Sequence, residues 1–260
     1  RTQQERMKFS GPRLSLPESA LTESVQRETS KRIRDGSATV HEVLQGIARN
    51  KSHLGDLATF ILLNAKGVGM TVKFKMLAAD SKEPSAYDPN TGVIEVRRGD
   101  ESSAYIMLHE IVHAVTDRKI PPSLESGMNE RGDKYLRALK RSLANPNTTL
   151  PMKGLIESYL DAADKLGMTD VLFRHGEGKK ALAGRPGDVS RAGLPYGMGN
   201  MDEFISEAFT NEKFRAILRA TSSGIKGLSL WQRFVNAIRR LLGVPVQYRS
   251  VLDDVLEHGK

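Results

Sequence analysis

Two histidines four residues apart, with a glutamate beside the first, carry the clearest chemical signal in this chain: His109-Glu110-Ile111-Val112-His113. Residues four apart lie on the same face of an α-helix, so His109 and His113 can direct two imidazoles at one metal ion. Glu110, one position along, is turned just far enough to hold a metal-bound water rather than the metal itself, as the general base of a zinc hydrolase must. These residues predict metal-dependent hydrolysis, with Zn²⁺ as the cofactor.

The residues around this motif predict a buried helix from Glu101 to Arg118. Asp100 or Ser102 can cap its start, and Pro121 lies just beyond its end. Apolar residues recur on every turn of the stretch, so it has almost no wholly polar face. A buried pair of imidazoles needs a partner, and zinc would be one. A chance occurrence of the motif is the alternative interpretation.

A third metal ligand must come from another part of the fold. Lys119 stands where a metzincin would have its third histidine, six residues beyond the second, which argues against that class. The segment 200–209 predicts the start of a second helix, with Glu203 and Glu207 on one face. Glu203 can ligate zinc, and Glu207 can accept a hydrogen bond from the far nitrogen of a ligating histidine. A solvated pair of surface glutamates is the alternative.

These two segments resemble the gluzincin family of zinc metallopeptidases, and within it the catalytic domain of anthrax lethal factor and its relatives. The metal helix there also reads His-Glu-x-x-His-Ala-Val with an aspartate soon after, as residues 109–117 do here. The later helix reads Glu-Phe-x-x-Glu-Ala-Phe, as residues 203–209 do. The resemblance implies that Glu203 is the third zinc ligand and that Glu207 supports the first histidine. It also implies that Tyr196, seven residues before Glu203, steadies the oxyanion.

The chain is also similar to zincin-like domains inside large phage and mobile-element polyproteins, because an Asn-x-x-Phe-x-x-x-Leu run and a basic amphipathic stretch follow the second helix. The first residue is Arg1 rather than Met, which fits a piece of a longer polypeptide. The resemblance implies a peptide or protein substrate, which could be the chain's own polyprotein. It also implies a cytoplasmic or virion location.

The pattern of elements predicts an α+β zincin-like fold with a small mixed sheet, a central metal helix and a large helical insertion. Alternation over 71–77 predicts one strand, and 93–97 predicts another directly before the metal helix. The second strand could be an ordinary sheet edge or an edge to which an extended peptide adds. The segment 87–92 is rich in turn-forming residues and predicts a turn.

For the domain organisation we predict a polar arm or linker over residues 1–17 and a single metallopeptidase domain over 18–260. Within that domain, 120–199 predicts a helical insertion and 226–244 an amphipathic helix. The apolar side of this helix suits packing in the core or against a neighbouring domain, and binding at a membrane surface is the alternative.

The composition narrows the choice of function. The chain of 260 residues has no cysteine, which excludes a thiolate zinc site and a cysteine nucleophile. Its net charge of +8 is spread among acidic residues, so nucleic-acid binding is possible but not indicated. It has no apolar run long enough to span a membrane and no signal-peptide core at its start.

We therefore expect a zinc-dependent endopeptidase in which Glu110 is the general base. The alternative is a non-catalytic, zinc-stabilised structural module of a virion or of a DNA-associated assembly.

Overall fold

A computed structural model describes residues 23–49, 52–64, 71–120, 132–167 and 196–242 of the chain. These residues form two compact units: an N-terminal unit that ends at Asp117 and a C-terminal unit that begins at Arg118. Within the described residues the fold class is α+β, mostly helical with a small mixed sheet, which confirms the coarse prediction. The arm over 1–17 lies outside the described residues, and the single domain over 18–260 stays a prediction.

The N-terminal unit contains four helices and three strands among its described residues. They are α1 (Glu23–Arg34), α2 (Val40–Ala48), α3 (His53–Asn64), β1 (Lys73–Met76), β2 (Ala86–Asp88), β3 (Val93–Val96) and α4 (Ala104–Thr116). Short 3₁₀ turns, Asp100–Ser102 and Asp117–Lys119, flank α4. Helix α4 carries the His-Glu-x-x-His motif, so this unit positions the motif.

The strands pair in the order β1-β3-β2, with β3 parallel to β1 and antiparallel to β2. The predicted strand over 93–97 is therefore present as β3, but its prediction as an edge strand was wrong. The true edge beside α4 is β2, and its last two residues, Tyr87 and Asp88, fall in the segment predicted to be a turn. Its three residues are extended because they pair with Val93, Ile94 and Glu95 across the sheet.

Burial follows the alternation that the sequence predicts. In β1, Phe74 is 2% exposed while Lys73 and Lys75 on the opposite face are exposed. Helix α4 is buried along nearly its whole length and contacts α2, α3 and both β2 and β3. A helix with no polar face needs such covering on all sides, because each exposed apolar side chain would lose its transfer free energy.

The C-terminal unit is helical in its described part. Its elements are α5 (Gly132–Ala144), α6 (Leu150–Lys165), a 3₁₀ turn (Tyr196–Met198), α7 (Met201–Thr210), α8 (Glu212–Ala220) and α9 (Leu230–Leu242). Helices α5 and α6 belong to the predicted insertion over 120–199, and α9 falls within the predicted helix over 226–244. The rest of the insertion lies outside the described residues.

An aromatic cluster forms the core of this unit around Phe204 of α7. The rings of Tyr159, Phe214 and Phe234 all meet Phe204 edge-on, with centroids 5.4 to 5.9 Å away. Such edge-to-face pairs add to the stabilisation from area burial. The apolar side of α9, including Trp231 and Phe234, is buried, and α9 packs against α6. The structure thus shows a packing role for the apolar side of α9.

Ion pairs also tie α9 to α6. The guanidinium of Arg233 donates to Asp161 at 2.8 Å and to Glu157 at 3.1 Å. In the parts of the chain that the structure describes, none of the helices is both long enough and apolar enough to cross a bilayer.

Candidate metal centre

The N-cap of the metal helix lies three residues after Asp100 and one after Ser102, the two caps that the sequence predicts. Ser103 is the N-cap of α4, and its hydroxyl accepts a hydrogen bond from the backbone N–H of Ile106 at 3.3 Å. Asp100 does not cap because its carboxylate is buried and accepts from Ser85 at 2.9 Å and from Arg97 at 3.0 Å. The helix therefore spans Ala104–Thr116 rather than 101–118. The contacts of Asp100 hold the 3₁₀ turn Asp100–Ser102 in place, and α4 starts after this turn.

His109 and His113 lie together on one buried face of α4, as their spacing predicts. They are 1% and 8% exposed, and their Nε2 atoms are 3.0 Å apart. Their rings are nearly perpendicular, with centroids 4.7 Å apart. The two imidazoles therefore place their Nε2 atoms next to each other.

This separation fits a shared metal ion. In a tetrahedral zinc site with Zn–N bonds of about 2.05 Å, two ligand atoms are about 3.3 Å apart. The observed 3.0 Å between the Nε2 atoms is close to that value. It is also the length of a hydrogen bond between two neutral imidazoles, which would require a proton on one of the two atoms.

Glu203 could offer a third ligand atom. It lies in the first turn of α7, where the side chain of Asn200 accepts a hydrogen bond from the Glu203 N–H at 2.7 Å and so caps the helix. Among the described residues, donor atoms of His109, His113 and Glu203 all lie within 4.8 Å of one another. This group of two buried histidines and a half-buried glutamate could hold a metal ion.

Two tyrosines of the insertion hold the turn that leads into α7. The hydroxyl of Tyr135 in α5 accepts from the Met201 N–H at 2.8 Å, and the hydroxyl of Tyr159 in α6 donates to the Met198 carbonyl at 2.7 Å. Burial raises the pKa of Tyr159 above its ordinary value, so its hydroxyl keeps the proton that it donates. The insertion, which showed no chemistry in the sequence, thus fixes the backbone next to Glu203.

Glu110 is buried, with 4% of its surface exposed. One of its carboxylate oxygens accepts a hydrogen bond from the backbone N–H of Tyr87 in β2 at 2.9 Å. The same tyrosine donates its hydroxyl to Asp117, just after α4, at 3.2 Å. The sequence did not reveal Tyr87 as a site residue, because its contact with Glu110 is made by the backbone. Almost any residue type can make such a contact, so the type of side chain does not indicate it.

Glu207 is 1% exposed, and its carboxylate accepts from the side-chain amide of Asn211 at 2.7 Å. A buried carboxylate of this kind is not a solvated surface glutamate, so that alternative was wrong for Glu207. Its predicted hydrogen bond with a ligating histidine stays a prediction. Tyr196 lies in the 3₁₀ turn before α7, and its side chain falls outside the described residues.

Gly197 allows this turn to lie directly against α7 and α8. A β-carbon at this position would be 2.6 Å from Cβ of Glu207 and 2.7 Å from Cε1 of Phe214. Both distances are shorter than carbon atoms tolerate, and both neighbours are buried. The glycine is therefore required by close approach.

We expect Gly197→Ala to lower the free energy of unfolding by about 1–3 kcal/mol, since the added methyl group overpacks a filled site. Urea denaturation of the full chain measures this change. Gly154→Ala is the matched control. Gly154 lies in helix α6, and a β-carbon there would be 3.7 Å from Cβ of Ala237, which is an ordinary contact distance. That variant should be neutral or more stable by about 0.5–1 kcal/mol. Equal stability of parent and Gly197→Ala would contradict the close approach.

No protein-family model matches this chain, and no curated protein or solved structure matches it at a significant level.

Proposed function

We propose that this chain is a zinc-dependent endopeptidase with a zincin-like fold, and that it is part of a larger phage-type polyprotein. The observation that carries the proposal is the convergence of His109, His113 and Glu203, whose donor atoms lie within 4.8 Å of one another. Two imidazoles and one carboxylate are the donor set of many catalytic zinc sites, which keep a further position for water or substrate.

The ion would be held by Nε2 of His109, Nε2 of His113 and the carboxylate of Glu203. When bound, zinc would act as a Lewis acid that polarises the scissile carbonyl and lowers the pKa of water toward about 7. Glu207, buried one turn after Glu203, would orient a ligating histidine through its far nitrogen.

Glu110 would take the proton of the attacking water and pass it to the leaving amine. Its place next to His109 on the same buried helix supports this role, because a general base must lie within hydrogen-bond reach of the water that it deprotonates. Tyr196 would donate a hydrogen bond to the oxygen that gains negative charge as the water attacks. The substrate is a peptide or protein, which includes segments of the parent polyprotein.

One observation favours the alternative function, a non-catalytic module that zinc stabilises. Glu110 accepts a hydrogen bond from Tyr87 N–H, and a buried carboxylate can have the structural role of satisfying a buried donor without taking part in catalysis. In that case the ion would contribute folding free energy and Glu110 would move no proton.

Metal removal tests the proposal. Protein stripped with a zinc chelator should lose cleavage of an unstructured peptide pool, and about one equivalent of zinc per chain should restore it. Cleavage is read by mass spectrometry of the products. Magnesium should not restore it, because Mg²⁺ prefers oxygen ligands in octahedral geometry.

Two results would contradict the proposal. Cleavage that persists in verified metal-free protein would show that the activity does not need the His-His-Glu group. Zinc-loaded protein that cleaves none of the pool, yet unfolds at a lower temperature once the metal is removed, would favour the structural module.

A further inference from the structure

One residue of the edge strand contacts the metal helix at two separate points. The backbone N–H of Tyr87 donates to Oε2 of Glu110 at 2.9 Å, and its phenol hydroxyl donates to Oδ2 of Asp117 at 3.2 Å. Glu110 lies between the two histidines of the motif, and Asp117 caps the end of the helix. Tyr87 therefore contacts the metal helix on either side of His113 along the chain.

The backbone contact depends on the place of β2 in the sheet. Tyr87 is paired with Ile94 of β3 on one side only, since β2 is the edge strand. An edge strand leaves every second N–H without a partner in the sheet. Glu110 accepts this outward N–H, so the carboxylate takes the position that a neighbouring strand would occupy. The bond holds one carboxylate oxygen in place and so restricts the directions that the other can take.

The side-chain contact makes the backbone contact rigid. Strand β2 is only three residues long and has a single neighbour in the sheet, so its pairing within the sheet is limited to three residues. Asp117 lies seven residues after Glu110, about 10 Å further along the helix axis. Because Tyr87 is attached to two such distant points of the helix segment, it cannot rotate freely about either of them. The hydroxyl of Tyr87 thus limits the motion of its own N–H relative to Glu110.

We infer that Tyr87 is the positioning residue for the base Glu110, which it orients through its backbone N–H while its hydroxyl, bound to Asp117, holds β2 in place against α4. This inference rests on the proposed function in so far as Glu110 is a base. The geometry on which it rests lies wholly within the N-terminal unit.

The experiment uses the zinc-loaded full chain and compares Tyr87→Phe with the parent. The variant keeps the ring and the N–H but loses the hydroxyl, so kcat should fall about tenfold, at the lower end of what losing an orienting partner costs. KM and zinc content should stay at the parental values, because Tyr87 is neither a ligand nor a substrate contact in this inference. Asp117→Asn keeps an acceptor oxygen and should stay near the parental kcat.

A second readout needs no catalysis. Exchange of the residue 87 amide proton, followed by NMR, should be slow in the parent and several-fold faster in Tyr87→Phe, because the N–H is then held less firmly to Glu110. Asp117→Ala should have the same effect, and the double variant should exchange no faster than the faster single variant. Thr91→Val is the control, since it removes a hydrogen bond to Asp88 in the exposed turn after β2. Its residue 87 amide should exchange at the parental rate.

Parental kcat together with parental amide exchange in Tyr87→Phe would overturn the inference. A fall in kcat that only follows loss of zinc or a lower melting temperature would also overturn it, because the hydroxyl would then be merely structural. If the amide loses protection as expected but even the parent cleaves no peptide, the proposed function fails. The positioning of Glu110 by Tyr87 stands in that case.

Discussion

A Glu110→Gln variant is expected to bind its full complement of zinc and to cleave peptides roughly 100- to 10,000-fold more slowly than the parent, the range for losing a general base. Glutamine has the same shape as glutamate, and its side-chain oxygen can still accept from the Tyr87 N–H. It cannot take a proton from water. The melting temperature should therefore be nearly unchanged while turnover is almost lost.

Glu95→Gln is the matched control for this change of charge. Glu95 lies in β3 of the same unit and pairs with Lys75 at 3.2 Å, where an ion pair contributes about 0–1 kcal/mol. Peptide cleavage by this variant should equal that of the parent. Parental cleavage by Glu110→Gln, with metal content verified, would rule out Glu110 as the base.

His113→Ala and Glu203→Ala are each expected to lose the metal. Two remaining ligands hold zinc weakly, so the affinity for zinc should fall more than about 100-fold. This is a larger loss than that caused by removing a residue that only hydrogen-bonds to a ligand. Metal content after gel filtration, measured by mass spectrometry, should drop from about one zinc per chain to near zero. Zinc at 100 times its Kd should stabilise the parent by about 2.7 kcal/mol and leave these variants unaffected.

Two controls match these substitutions by residue type. His41 in α2 and Glu212 in α8 are exposed, so His41→Ala and Glu212→Ala should keep their zinc. Glu207→Ala should retain more metal than Glu203→Ala, since Glu207 is expected to orient a ligand rather than to be one. The reverse order would exchange the roles assigned to the two glutamates.

Much of α4 and α7 could be predicted because their signals are local. The apolar residues of α4 leave no polar face, and the four-residue spacing of His109 and His113 places them together whatever surrounds the helix. In the same way, Asn200 next to the apolar residues of α7 marks a helix start. The helix ends were less predictable, because Asp100 looks like a cap but binds Ser85 and Arg97 instead.

The role of β2 could not be predicted from the sequence. Ala86–Asp88 precedes Pro89, Asn90 and Gly92, which are typical of turns, and its extended state depends on pairing with β3. The contact of Tyr87 with Glu110 spans 23 positions and uses a backbone N–H that almost every residue type possesses. Patterns of side chains carry no information about such a bond.

The position of Trp231 has a spectroscopic consequence. It is the single tryptophan of the chain, it is 2% exposed in α9, and the guanidinium groups of Arg215 and Arg219 lie 5.8 and 5.5 Å from its ring centroid. Unfolding would remove both the burial and the two cations, so indole emission is a label-free reporter of the C-terminal unit. Substitutions in α4 act first on the N-terminal unit, which has no indole. Circular dichroism, which records every helix, is therefore the signal by which the melting of those variants should be followed.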